Sequence, residues 1–445
     1  MIASLLFLAG LAGAQDTTRL TLVVAVDRAL ASYPTVAAAR ARADGAAADV
    51  DAAKAAWLPR LTLDGSLNRF QEPMVVAPLH GFDPANPPLF DQTLIQSGLS
   101  LNWTVFDFGG RTARVRAQRA LAGAADAAHS AAAQQLVARV VTAYLRVLTA
   151  RDLVAAHDQR LAALVSVSAR TRQLIAEGKA ARLEGLRVEA EARRAEADRI
   201  GSAAQLDVAE HELAQFTALP YQVVRTAPLL DLRLADTAFA TDTSGAVRAT
   251  LVERARQASA ELREAEQRAR AADAAAGMAR AAWFPEVRVA GAYVDRGRWE
   301  GDFAAEWQVG VALSYPLFTG GGRRSAVRRA SADGRAAAEQ VRAVGLGVEQ
   351  GVDQALAGLR QAHARVAALR SAVEQSAEVA RIERLALDVG SGTQTDFLTA
   401  EANLLAVRAG LIEARHAEIG ARVELARIIG ELSPDWLARI VEPAP

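Results

Sequence analysis

Phe106-Asp107-Phe108-Gly109-Gly110-Arg111 reappears 212 residues later (318 minus 106) as Phe318-Thr319-Gly320-Gly321-Gly322-Arg323. The same offset carries Glu177-Gly178 onto Val389-Gly390, Leu186 onto Leu398 and Glu189-Ala190 onto Glu401-Ala402. Upstream, Trp57-Leu58-Pro59 answers Trp283-Phe284-Pro285 at an offset of 226 (283 minus 57), so the first half carries 14 extra residues (226 minus 212). Self-similarity at this scale means one architecture built twice. The extra length falls in Glu72 to Pro88, where five prolines and Gly81 predict an irregular loop.

Just outside the repeated glycines the pattern has period two. Leu61, Leu63, Gly65 and Leu67 alternate with Thr62, Asp64, Ser66 and Asn68, and Leu99, Leu101, Trp103 and Val105 with Gly98, Ser100, Asn102 and Thr104. The second half repeats this at Val287 to Tyr293 and at Trp307 to Tyr315. Four strands of about ten residues are expected, each with one apolar and one polar face.

Beyond the glycines the period lengthens. Val140, Ala143, Val147, Ala150, Val154, His157, Leu161 and Leu164 form a seven-residue apolar repeat, answered at the 212 offset by Val352, Ala355, Leu359, Ala362, Val366, Leu369, Val373 and Ser376. Such a seam predicts left-handed supercoiling. Arg111 to Ile175 contains no proline, and as one helix it would reach ~100 Å. Turns at Gly178 and at Gly390-Ser391-Gly392 would fold each long helix back as an antiparallel hairpin.

Composition agrees. The 445 residues are rich in alanine, only 5% aromatic and without cysteine, which suits closely packed helices and removes disulfides and thiolate chemistry. With 51 basic and 51 acidic side chains there is no net field to attract nucleic acid. Ser4 to Leu11 with Ala12-Gly13-Ala14 reads as an export signal cleaved before Gln15. The expected organisation is a signal peptide at 1–14 and a first repeat at 15–217, with strands within about 58–105, a long helix at about 109–176 and a helix at about 180–217. A linker at 218–245 leads to a second repeat at 246–430, with strands within about 284–316 and helices at about 323–388 and 394–430, followed by a tail at 431–445. Each repeat should open on a helix, Val24 to Ala56 and Ala246 to Ala282.

Five of the six tryptophans lie in or beside the strands, and Trp57, Trp103, Trp283, Trp307 and Tyr315 suggest a membrane girdle. Helices this long cannot cover four strands gathered at one end, so lipid is the expected solvent for the apolar faces. Four strands cannot close a barrel, and lipid does not tolerate open sheet edges, so the chain must oligomerise. Three copies would give twelve strands, although closure demands only several.

The duplicated pieces, in this order and together with Leu20-Thr-Leu, Tyr33-Pro34 and Asp396-x-Leu398-x-Ala400-Glu401, resemble the TolC family of outer-membrane efflux and secretion channels. The resemblance implies a mainly α chain with a membrane β part: duplicated helical hairpins forming an α-barrel tunnel, and four strands per copy in a shared twelve-stranded barrel of a homotrimer. It implies a passive duct of a tripartite efflux pump or type I secretion system, set in the outer membrane of a Gram-negative cell and extending into the periplasm. The implied partners are a periplasmic adaptor (membrane fusion) protein, an inner-membrane transporter and outer-membrane lipid.

By the same resemblance the hairpin tips, Gly178, Lys179, Leu183 and Leu186 with Gly390, Ser391, Gly392 and Leu398, would meet the adaptor. Acidic rings at the tunnel entrance map onto Asp396 and Thr399, and in the first half onto Glu184 and Arg187, so only one acid of the family's second-half pair is kept. Arg111 and Arg323 follow Gly-Gly at helix starts, where the dipole disfavours cations, and suggest membrane-edge anchors. No phosphate-binding loop, dinucleotide fingerprint, nucleophile elbow or zinc-protease motif occurs, so no enzyme, cofactor or metal is expected. The alternative is a periplasmic coiled-coil adaptor without a barrel; its single hairpin flanked by β-rich domains would not account for the duplication.

Overall fold

A computed structural model describes residues 20–76, 85, 90–229, 232–234 and 245–443. The expected signal peptide lies outside them, as does most of the expected loop up to Pro88. In chain order the elements are α1 (Leu22–Ser32), α2 (Pro34–Ala55), β1 (Arg60–Val75), β2 (Phe90–Phe106), α3 (Gly110–Ala176), α4 (Arg182–Thr217), α5 (Tyr221–Thr226) and β3 (Leu232–Leu234). The second half supplies α6 (Gly245–Ala258), α7 (Ala260–Ala281), β4 (Glu286–Arg298), β5 (Gly301–Ser314), α8 (Gly322–Val389), α9 (Gln394–Ile428), α10 (Pro434–Ile440) and β6 (Val441–Pro443). The chain divides into two compact units, one of residues up to Ala38, Ser130–Ser259 and from Leu346, the other of Ala39–His129 and Ala260–Gly345.

In the first unit, the predicted seams are where the hairpins bury themselves. Val140, Ala143 and Val147 on α3 and Val352 on α8 are buried, with Ala150, Leu164, Ala355, Ala362 and Val366 close behind. The core gathers Val26 of α1, Val141 and Tyr144 of α3, Leu213 of α4, Ile419 and Val423 of α9 and Leu437 of α10. Tyr144 donates its hydroxyl to the buried Leu20 carbonyl at 3.0 Å, tying the start of the described chain to α3. The 218–245 segment holds both a helix, α5, and a strand, β3, which pairs antiparallel with β6 of the tail.

In the second unit, alanine lets helices approach closely. Ala117, Ala120, Ala124 and Ala127 of α3 are buried, as are Ala271 and Ala276 of α7. A Cβ at Gly123 would stand 3.1 Å from Gln267, and one at Gly277 3.5 Å from Ala113. The sheet is antiparallel with order β1-β2-β4-β5. Its register puts Leu61, Leu63, Leu67, Leu99, Leu101, Tyr293, Trp307, Val309 and Val311 on one face, and Thr62, Asp64, Ser66, Gln96, Ser100, Asn102, Arg288, Arg296 and Glu306 on the other. Arg296 and Glu306 pair across the polar face at 2.6 Å.

Three expectations need correction. The opening helices are each broken, the first at Tyr33-Pro34, where Tyr33 is extended (φ −76°, ψ 127°) as a residue before proline must be, and the second at Ser259, where no proline marks the break. The strands are 13 to 17 residues long rather than about ten, because pairing continues past the alternating stretch. The irregular loop does not begin at Glu72, since β1 runs through Pro73 to Val75. Proline's missing N–H is tolerated there because the β1·β2 ladder is interrupted between Arg69 and Met74. The glycines Gly345, Gly347 and Gly358 of α8 have open space around them, and nothing within the chain explains them.

Leu213 is fully buried among helices of the first unit. Leu213→Ala should cost about 2–5 kcal/mol, read as a lowered thermal midpoint of the detergent-solubilised protein.

Candidate functional site

Two sets of side chains carry the functional expectations, one in each unit. At the first hairpin tip α3 ends in Gly178 at φ +72°, with the Gly178 amide donating to the Ile175 carbonyl at 3.0 Å and the Lys179 amide to Leu174 at 2.8 Å. A left-handed residue here is the usual glycine stop of a helix. Lys179 reaches Glu177 at 2.9 Å, and its hydrogen bond, assisted by Gln173, holds the Glu177 carboxyl below the usual glutamate value. Its depressed pKa places the stabilisation above the ordinary glutamate value and removes it as pH falls through the lowered one.

At the second tip Gly390 has φ +80°, and the amides of Ser391 and Gly392 both donate to the Ala386 carbonyl, at 2.9 and 3.0 Å. A Cβ on Gly392 would lie 2.8 Å from that of Ala386, so the turn requires glycine. Thr393 caps α9: the Asp396 amide donates to Thr393 Oγ1 at 3.1 Å, and Thr393 Oγ1 donates back to Asp396 Oδ2 at 2.6 Å. The Asp396 carboxylate is therefore part of a reciprocal cap at a helix N-terminus, where the dipole favours negative charge.

Thr399 bonds back to the Thr395 carbonyl at 2.9 Å, and Glu184 makes no ion pair among the described residues. Arg187 donates to Thr395 Oγ1 at 3.1 Å, one residue from Asp396, and Arg170 pairs with Asp388. These two contacts join the first hairpin to the second near their tips. Sequence reasoning missed Arg170, Asp388 and Thr395, because no periodicity signals a contact between residues more than two hundred positions apart.

The tip leucines separate into two kinds. Leu183 and Leu186 are exposed, at 57% and 54%, whereas Leu398 is buried with Phe397, Leu164 and Val188. Leu398 thus holds the hairpins together within the chain. On α8, Val379, Ile382, Leu385 and Val389 are also exposed near the tip.

The second set lies where strands become helices. After Thr104, paired with Arg288, the register shifts so that Phe106 stands opposite Val287. This bulge at Val105 moves Phe106 onto the apolar face. The bulged carbonyl accepts from Arg111 Nη2 at 2.9 Å, and Nη1 donates to the Ala56 carbonyl at 3.3 Å. The Arg111 guanidinium also lies 4.3 Å from the Trp57 ring centre and 3.4 Å from Asp107, whose carboxylate accepts the Arg111 amide at 2.6 Å. Trp103 donates its indole N–H to the Trp57 carbonyl at 2.9 Å.

Arg323 repeats the device more loosely, over Trp283 at 5.0 Å and Tyr315 at 5.4 Å, with a hydrogen bond to the Pro316 carbonyl. The dipole that disfavours a cation at these helix starts is offset at Arg111 by Asp107, by two carbonyls and by a tryptophan face. Phe108 takes φ +52°, a region glycine occupies at the matching Gly320, and stacks on Phe284 at 4.9 Å. The aromatic residues fall into two levels along β5, since Trp307 lies eight residues before Tyr315, ~26 Å of extended chain.

Among the described residues no group of His, Cys, Asp or Glu side chains could hold a metal ion. A hollow of about 330 Å³ at the helix–strand junction is lined by Thr104, Asp107, Arg111, Arg114 and Glu286, which pairs with Arg288 at 2.6 Å.

Duplicated antiparallel helical hairpins joined to a four-stranded sheet with an exposed apolar face define a class of membrane channel proteins. Residues 25–219 and 251–431 match the family described as outer membrane efflux protein. The chain is 30% identical to the outer membrane efflux protein BepC of Brucella suis over 136 residues, 29% of this chain and 28% of that protein. It is 24% identical to nodulation protein T of Rhizobium leguminosarum bv. trifolii over 383 residues, 84% of this chain and 77% of the relative. The fold superposes on the outer membrane protein VceC of Vibrio cholerae with a TM-score of 0.77 at 21% identity, covering 92% of this chain and 96% of that one.

The chain belongs to the outer membrane efflux protein family. It is an outer-membrane duct of efflux pumps, and its family and fold are those of channel proteins rather than enzymes. The adaptor alternative is thereby set aside.

Arg111 is buried against a carboxylate, two carbonyls and a ring, while Arg323 has one carbonyl and two rings. Arg111→Lys should cost about 2–3 kcal/mol, and Arg323→Lys about half that, since lysine loses both the fork and the stacking. Thermal denaturation of the two variants in parallel checks the order.

Proposed function

We propose that three copies share one barrel and one helical tunnel, forming a passive duct that receives cargo from a periplasm-spanning pump assembly and releases it outside the cell. The observation that carries this reading is the sheet itself, order β1-β2-β4-β5, whose outer strands each leave one edge unpaired within the chain. One face carries exposed Leu63, Trp307, Val309 and Val311. Such a face suits lipid, and such edges suit copies of the same sheet. Trp57, Trp103, Trp283 and Tyr315 would sit at one boundary of the bilayer and Trp307 at the other.

The tips around Gly178, Lys179, Gly390, Ser391 and Gly392 would meet a periplasmic adaptor, with exposed Leu183 and Leu186 as its apolar contacts and an inner-membrane transporter supplying energy. Leu398, being buried, would support that surface from beneath. Asp396 and Glu184 would line the tunnel entrance, Asp396 held by Thr393, with Thr399 and Arg187 beside it. The Arg170–Asp388 and Arg187–Thr395 contacts would hold the two hairpins of one copy together at that entrance.

Light scattering of the detergent-extracted protein, corrected for bound detergent, should give the mass of three chains, whereas a soluble single chain would overturn the shared barrel. In planar bilayers Asp396→Asn should raise the conductance of the closed channel and lower its preference for cations. Unchanged conductance and selectivity would remove Asp396 from the entrance.

A further inference from the structure

We propose that the open edges close between copies in one defined register: β5 of one copy pairs antiparallel with β1 of the next, Leu313 opposite Gly65, Ala312 opposite Ser66 and Val311 opposite Leu67. This rests on the shared-barrel reading and specifies how it is built.

The argument starts from the duplication. Adding 226 to a residue of β1 and 212 to a residue of β2 converts the pairing of the first hairpin into that of the second. Arg60↔Asn102 becomes Glu286↔Ser314, Leu61↔Leu101 becomes Val287↔Leu313, and Leu67↔Ile95 becomes Tyr293↔Trp307, and all three converted pairs are present. The sequence offsets are therefore structural offsets, held to the residue along both hairpins.

Only the junction β2·β4 has no counterpart inside the chain. Its pairs Leu101↔Gly291, Ser100↔Ala292 and Leu99↔Tyr293 convert, by adding 212 to the first member and subtracting 226 from the second, into Leu313↔Gly65, Ala312↔Ser66 and Val311↔Leu67. The first member then belongs to β5 and the second to β1, the two edges of the sheet. A second copy is the occupant this geometry fits, because it alone presents the complementary edge.

Three observations support the assignment. The converted pairs keep apolar opposite apolar-facing positions and polar opposite polar, which a slip of one residue would reverse. At β2·β4 a Cβ on Gly98 would lie 3.4 Å from the Tyr293 carbonyl oxygen, while one on Gly291 would meet the Gln308 carbonyl oxygen of its own hairpin at 3.6 Å and Leu101 Cβ at 3.7 Å. Gly310, the repeat of Gly98, has nothing within 4 Å in the single chain, as expected where the neighbouring strand belongs to another copy. Finally, the bulged Val105 converts to Leu317, and Pro316 before it, which has no N–H, lies past Ser314, the last residue of β5, where the ladder has stopped.

The chain has no cysteine, so introduced pairs report without background. Directly opposed strand residues have Cα atoms about 4.5–5.5 Å apart, within disulfide range, and the two faces sample the two kinds of antiparallel pair. The double variants Val311→Cys/Leu67→Cys and Ala312→Cys/Ser66→Cys, oxidised in membranes, should give covalent multimers on non-reducing gels from at least one pair. Each single variant should remain a single chain. Val311→Cys/Leu63→Cys, four residues out of register and ~14 Å away, should fail to cross-link.

Faster cross-linking of Val311→Cys to Gly65→Cys or Arg69→Cys would overturn the register. So would an oligomer by light scattering in which neither in-register pair forms. A single chain by light scattering would overturn the shared barrel, and the register with it.

Discussion

The constraint on which this structure depends is the backbone hydrogen bond at the edge of a sheet. Four strands pair among themselves, and the outer sides of β1 and β5 are left with a row of amides and carbonyls. In water these groups would be solvated; in hydrocarbon each unpaired one costs several kcal/mol. An apolar face and two open edges on one sheet are incompatible in a lone molecule surrounded by lipid, and the oligomer we propose answers that incompatibility. Each strand is joined to a helix at one end, β1 from α2, β2 to α3, β4 from α7 and β5 to α8, through a turn of a few residues.

Those turns gather a cluster of polar and cation–ring contacts around one arginine each. In each repeat a tryptophan from the end of one helix, an arginine from the start of the next and a carbonyl from the strand exit are drawn together, Val105 in the first and Pro316 in the second. The first copy of the device is tight and carboxylate-assisted, and the second is looser. The strained backbone of Phe108 belongs to the tight copy, and its ring on Phe284 links the exit of the first hairpin to the approach of the second. Duplication supplied the plan, and the two halves have since specialised.

Much of this was legible in the sequence because it is periodic. The heptad seams, the alternating strands, the glycine turns and the two offsets all repeat, and the residues they single out, such as Val140, Val352, Gly178 and Gly390, are buried or turned as expected. What was not legible lacks period. Pro73 argues against a strand unless the ladder beside it is known to be interrupted, and the bulge at Val105 breaks the alternation it follows. At the tips, Arg170–Asp388 and Arg187–Thr395 depend on how two hairpins lie side by side, and Leu398 looked like a surface residue until the packing around Phe397 was seen.

The uneven hairpins have an evolutionary consequence. β4 and β5 are joined by Trp299-Glu300 alone, whereas β1 and β2 are separated by the stretch that holds the 14 additional residues of the first repeat. Length added there moves no paired residue against its partner, so both halves stay commensurate. A residue gained inside any of the four strands must instead be absorbed by a bulge, as at Val105, or the ladder beyond it falls out of step. Length is therefore cheap between the strands of the first hairpin and dear within them, where each strand is measured against its neighbours.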